Sequence, residues 1–160
     1  MIKKKGRKKT KFFIKGFIRG QITDGNTGKV VGDTGWIENK ATNEGLTNLA
    51  RLLGAQAGSY IVGWAALGTQ TDAVNMTQTD MSGRTHSFKA LNLSTSGTCT
   101  LTCTASFGSA SLSASCNVGA AGLYKTDSAG SMIAMQTFAT SQWNTNQDFN
   151  LTYQLRFGTA

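Results

Sequence analysis

Between Cys99 and Val118 the chain alternates apolar and polar residues with a period of two, and nothing else in it constrains the fold as strongly. Cys99, Leu101, Cys103, Ala105 and Phe107 occupy the odd positions, with threonine or serine between them. Successive side chains of an extended strand point to opposite faces, so such a stretch has one dry face and one wet face. After Gly108 the parity flips, and Ala110, Leu112, Ala114, Cys116 and Val118 become the apolar set. A flip across Gly108-Ser109 predicts a hairpin with a two-residue turn, glycine taking its positive-φ position. In that register Phe107 opposes Ala110, Leu101 opposes Cys116 and Cys103 opposes Ala114. The three cysteines then face inward as small apolar residues.

The same logic extends to both ends. Phe149, Leu151, Tyr153, Leu155 and Phe157 form one face of a closing strand, with Asn150, Thr152, Gln154 and Arg156 on the other. Gly122–Lys125 and Ser131–Phe138 are expected as strands joined by the turn-rich Thr126–Gly130. Phe17–Thr23 and Lys29–Glu38 flank Asp24-Gly25-Asn26-Thr27-Gly28, a second hairpin signal. Leu46, Leu49, Ala50 and Leu53 fall at helical spacing, with Thr42 or Asn43 to cap the start and Gly54 to end it. Many strands, one short helix (about 43–54) and no alternation of strand with helix predict an all-β, two-sheet sandwich, jelly-roll-like. With no proline and 19 glycines in 160 residues, the turns rest on Gly, Asn and Asp, and a Pro-rich linker is excluded.

The formal charge of +8 is confined to one end. Nine of the 16 basic residues (Lys3, Lys4, Lys5, Arg7, Lys8, Lys9, Lys11, Lys15 and Arg19) precede the first acid, Asp24. The remainder of the chain, with seven basic and eight acidic residues, is close to neutral. The expected organisation is therefore a basic N-terminal arm over 1–15 and one sandwich domain over 16–160. A segment so rich in like charge does not fold alone and is suited to a polyanion. Lysines and arginines would neutralise phosphates and release counterions, and an exposed phenylalanine could stack on a base. An anionic membrane surface attracts the same composition. Phe12 and Phe13, at the end of the arm, are candidate subunit contacts. So is Trp143, set in the polar run Gln142–Asp148. Sequence-specific readout is not expected, because no recognition helix or zinc ligand set is present.

Catalytic and metal motifs are weak. Asp33-Thr34-Gly35 matches the aspartic-protease triplet but has no placed partner segment, and a turn in which Asp33 bonds its own backbone accounts for it better. His86, the single histidine, stands without ligand-spaced neighbours and is expected in a loop or at the surface. Asp72 and Asp80 are isolated, and Asp24-Gly25-Asn26 lacks the later glutamate of a calcium loop. No phosphate-cradling glycine loop appears. The expectation is a non-enzyme with no cofactor, no metal and no small-molecule substrate. No run approaches the roughly 20 apolar residues of a membrane helix, and Lys15 and Arg19 interrupt the one stretch suited to a secretion signal.

Gly35-Trp36 with Asn39, then Thr42-Asn43-x-Gly45, Leu49-Ala50, Leu53 and Gly68-Thr69, resembles the front half of small β-rich virion structural proteins of bacteriophages. Ala121-Gly122-Leu123-Tyr124, Gly130–Ala134 and the Leu151–Phe157 strand resemble their second half. Ala120 or Ala121 stands where those proteins carry a glutamate, and Gln136 where they carry an arginine. The resemblance implies a virion structural protein that forms homo-oligomers and contacts other virion proteins, made in the host cytoplasm and located in the virion. A basic arm ahead of a neutral sandwich favours a capsid-shell subunit (coat, vertex or penton, or minor capsid protein) whose arm faces the packaged genome or an inner membrane. A tail or receptor-binding appendage is the alternative. A free-standing, non-specific nucleic-acid-binding protein is the third reading.

Overall fold

A strand that alternates large apolar with polar residues can bury one face only, and β1 (Phe12–Asp24) does so with Ile18 and Ile22 inward and Phe13, Lys15, Phe17 and Arg19 outward. The computed structural model describes residues 12–54, 62–97 and 99–159. β1 pairs antiparallel with β11 (Gln147–Thr159) along its whole length, Phe12 against Thr159 through to Asp24 against Gln147. It thus begins inside the stretch assigned to the arm, because Ile14 and Gly16 already follow the inward parity of Ile18.

The remaining strands are β2 (Val30–Asp33), β3 (Ile37–Glu38), β4 (Lys40–Ala41), β5 (Trp64–Gly68), β6 (Lys89–Ala90), β7 (Asn92–Ser96), β8 (Thr100–Phe107), β9 (Cys116–Tyr124) and β10 (Met132–Trp143). They form two antiparallel sheets. The first runs β2-β1-β11-β8-β7, with β3 also on β1, and the second runs β4-β10-β9-β5-β6. The chain changes sheet between β3 and β4, β6 and β7, β8 and β9, and β10 and β11. The all-β two-sheet sandwich expected from the alternation is the observed architecture.

Ile18, Leu67, Phe107, Trp143, Phe149, Leu151 and Tyr153 fill the space between the sheets. A second cluster, with Val74, Met81, Tyr124, Met132 and Met135, lies on the far side of the second sheet, beneath the long loop 69–88. Covered on both faces, β5 and most of β9 are buried at nearly every position and do not alternate. The Tyr124 hydroxyl pins this loop by donating to Asp80 Oδ1 at 2.8 Å, and burial followed by the nearby Asp80 raises its pKa. Gln70 and Gln78 exchange side-chain hydrogen bonds within the loop.

The helix, α1 (Asn43–Leu53), starts and stops where its caps require. Buried Thr42 accepts from Gly45 N–H through Oγ1 at 3.1 Å and shares its own hydroxyl proton between the carbonyls of Met132 and Ile133. Gly54 N–H closes the end on Ala50 O. The leucine spacing finds the helix but not the face that seats it. Gly45 and Asn48 are buried, whereas Leu46 is 49% exposed. The reason is proximity: a Cβ on Gly45 would run into the Ile133 carbonyl oxygen, so only glycine lets α1 lie this close to β10. Leu46, Leu49 and Leu52 line an apolar cavity of about 270 Å³ left between helix and sandwich.

The hairpin expected across Gly108-Ser109 does not exist. β8 pairs with β11 and β7 in the first sheet, and β9 with β10 and β5 in the second. Residues 108–115 cross between the sheets through a single 3-10 turn, Ser109–Ser111, whose leading N–H (Ser109) donates to Asp148 Oδ1 at 2.8 Å. Phe107 opposes Phe149, Ala105 opposes Leu151, Cys103 opposes Tyr153 and Leu101 opposes Leu155. Parity allowed both pairings, and β11 offers a much larger apolar surface than the alanines of 110–114. Of the cysteines, Cys103 is buried, with burial pushing its thiol up to about 12, Cys116 is half-buried, and Cys99 is exposed, outside the inward set expected for it.

The other turns follow expectation. Asp24 Oδ1 accepts from the N–H groups of Asn26 (3.1 Å) and Thr27 (2.8 Å), closing the first hairpin. The strand expected over Lys29–Glu38 is split into β2 and β3 by the Asp33–Trp36 turn. The strands expected over Gly122–Lys125 and Ser131–Phe138 fall within the longer β9 and β10 except for Lys125 and Ser131, which belong to the connection around the Thr126–Gly130 turn.

Candidate polyanion-binding face

Among the described residues no loop covers the outer face of the first sheet as residues 69–88 cover the second, and its chemistry is set by strand parity. β1 contributes Phe13, Lys15, Phe17 and Arg19; β11 contributes Thr152, Gln154 and Arg156; β8 contributes Thr100 and Thr102. The β1–β11 register places Lys15 directly opposite Arg156 and Phe13 opposite Gly158. The Phe13 ring lies over Gly158, where a Cβ would come within 2.6 Å of Phe13 Cζ, and the ring remains 37% exposed.

Each cation on this face is held differently. Arg19 Nε donates to Asp33 Oδ1 at 3.0 Å, and Gln21 and Gly35 N–H also donate to that carboxylate. The Arg19 guanidinium, foremost, holds the Asp33 carboxyl far below the usual carboxylate range. Asp33-Thr34-Gly35 is a turn in which Asp33 Oδ1 accepts from Gly35 N–H at 2.8 Å, the backbone bond expected from the sequence, and the same carboxylate is also engaged by Arg19. Lys15 Nζ reaches Glu38 Oε1 at 3.5 Å, with both side chains about half exposed. Arg156 has no carboxylate partner among the described residues. Its guanidinium stacks 4.4 Å from the centre of the Phe17 ring and 6.0 Å from that of Trp36, while Nε and Nη2 donate to Gln154 Oε1 at 3.1 and 2.7 Å. A planar cation beside two aromatic rings keeps its charge and orientation without a counter-ion. A shallow groove of about 630 Å³ runs from these residues on β1 and β11 across β8 to Ser96 on β7.

Of the residues singled out in the sequence, Lys3, Lys4, Lys5, Arg7, Lys8, Lys9 and Lys11 lie outside the described residues, as does the Phe12 side chain. Lys15, Arg19 and Phe13 come together on the outer face. Trp143 does not belong there: it is fully buried, donates from Nε1 to Gln147 O at 2.6 Å, and packs against the rings of Phe149, Phe107 and His86. It is a core residue and not a subunit contact. Its polar neighbours misled because the turn after β10 turns them outward while Trp143 keeps the inward parity. Phe17, Trp36 and Arg156 were not anticipated. Arg156 was legible as an outward residue of the last strand, but its meeting with Phe17 needs the β1–β11 register.

His86 is half-buried in the 69–88 loop, with Nδ1 2.8 Å from Thr85 O and its ring 4.9 Å from that of Trp143. Among the described residues no three His, Cys, Asp or Glu side chains gather as a metal site, and no helix is long and apolar enough to cross a membrane. No family model, no curated protein and no solved structure matches the chain.

Proposed function

We propose that the protein is a virion structural subunit, a capsid-shell component (coat, vertex or minor capsid protein) whose cationic N-terminal arm faces the packaged nucleic acid. The observation that carries this reading is the two-sidedness of the sandwich. The arm precedes β1 in the sequence; β1 belongs to the sheet whose outer face carries no covering loop among the described residues and bears Lys15, Arg19 and Arg156, while the other sheet is roofed by residues 69–88. A subunit charged at one end and on one face has an inside and an outside, which suits a closed shell around a polyanion.

Two measurements test it together. The purified full-length protein is expected to form closed rings or shells by electron microscopy and light scattering, and a monomer at every concentration overturns the reading. Binding to nucleic acid should weaken with salt at a log–log slope of roughly −6 to −8 if the nine leading cations neutralise phosphates. A slope near zero removes the genome-facing arm.

A further inference from the structure

We infer that the outer face of the first sheet is a stacking platform for unpaired nucleotides, so that the partner of this subunit is single-stranded polynucleotide and not duplex. The inference rests on the proposal that the arm meets nucleic acid, and it adds a site on the folded body. Three observations carry it. Phe13, 37% exposed, lines the groove with Thr100, Thr102 and Gln154, and Trp36, 42% exposed, has its ring 6.0 Å from the guanidinium of the groove residue Arg156. Arg156 lies over the Phe17 ring and within 6.0 Å of the Trp36 ring centre, with no carboxylate partner among the described residues, directly opposite Lys15 in the strand register. Two cations facing each other across an antiparallel pair oppose folding, and an incoming phosphate between them would reverse the sign of that interaction. Finally, the seven cations of residues 1–11 immediately precede β1 in the sequence, the strand that carries Phe13 and Lys15.

Stacking on exposed rings selects for unpaired bases, since both faces of a base in a duplex are already covered by its neighbours. The Thr102 hydroxyl and the Gln154 amide nitrogen offer hydrogen bonds without a fixed base code, so affinity should be broad in sequence. A lipid surface would be attracted by the same arm but would gain nothing from a guanidinium stacked on edge-of-groove rings.

The test uses full-length protein, labelled oligo(dT), the same strand annealed to its complement, and vesicles rich in phosphatidylserine. Trp36→Ala and Arg156→Lys, the second keeping the charge but losing the plane, are expected to weaken oligo(dT) binding about fivefold to a hundredfold, the scale of one lost base stack. Duplex binding should be unchanged, and replacing the lysines and arginines of residues 1–11 by glutamine should weaken both probes. Tryptophan emission should be quenched by oligo(dT) in the parent and much less so in Trp36→Ala. Unaltered oligo(dT) binding by both variants overturns the inference, provided their thermal melts match the parent. An equal loss on single strand and duplex also overturns it, as does binding confined to vesicles. Assembly is scored separately: selective loss in a protein that never forms shells keeps the platform and removes the capsid reading. Shells with unaltered variant binding do the reverse.

Discussion

Lys15 and Arg156 are direct cross-strand neighbours on the outer face of β1 and β11, and the acid nearest the pair, Glu38, approaches Lys15 alone. The fold thus places two like charges opposite each other in its longest strand pairing. Such a contact is a cost to folding of about 0.2–1 kcal/mol, which makes sense if the charge is needed by something outside the domain.

Lys15→Gln is therefore expected to raise the thermal stability slightly at low salt, by a few tenths of a kcal/mol, since the exposed Glu38 pair it loses contributes little. The gain should shrink towards 1 M salt, where charges are screened beyond about 3 Å. Melting curves of parent and variant at two ionic strengths check this, and a lower melting temperature at low salt would refute it.

Gly45→Ala should destabilise the protein, by about 1–3 kcal/mol, although the same change in an exposed helix normally stabilises by up to about 1 kcal/mol. The added methyl meets the Ile133 carbonyl, which is fixed within β10. Denaturant unfolding gives the sign directly.

Asp33 ties acid stability to Arg19. Its carboxyl is depressed in the folded state, chiefly by that guanidinium. The contribution is therefore complete above about pH 4, where the unfolded carboxyl is ionised, and is lost as pH falls through the much lower folded value. Asp33→Asn should lose under about 1 kcal/mol at neutral pH, as befits a partly exposed pair. The gap between parent and variant should begin to narrow below about pH 4 in denaturant melts and close only as pH falls through the folded value.

Thiol reagents at pH 8 should modify Cys99 rapidly in the native protein and Cys103 only on unfolding. Cys99 is exposed, whereas burial holds the Cys103 thiol at about 12 and leaves almost no thiolate. Cys99→Ser should abolish the fast phase, and a persistent fast phase would contradict the placement of Cys99.

The elements most readable from sequence were those decided locally. Thr42, the leucines at i, i+3 and i+7 (Leu46, Leu49 and Leu53) and Gly54 mark α1 because capping and helical periodicity act within a few residues. The Asp24 turn is legible for the same reason. The strands of 100–107 and 149–157 were also evident, each with the correct dry face. Their pairing was not, because period-two alternation says which way a side chain points and nothing about the strand beside it. The flip at Gly108 imitated a turn, yet the groups that fix the crossing, Asp148 on the Ser109 amide and Phe149 on Phe107, lie some 40 residues away. The candidate site suffered the same blindness. Lys15 and Phe13 stood out as ends of a charge run, whereas Arg156 became their neighbour only through a register joining opposite ends of the chain.

That register also dictates the order in which the protein can come into being. Phe12 pairs with Thr159, so on the ribosome β1 emerges first and must wait for nearly the whole domain before its principal partner exists. Contacts so distant in sequence close slowly, and until they do an apolar strand edge is left unpaired behind a highly charged leader. The mutual repulsion of those leaders would keep nascent copies apart during the interval when their open edges could otherwise join.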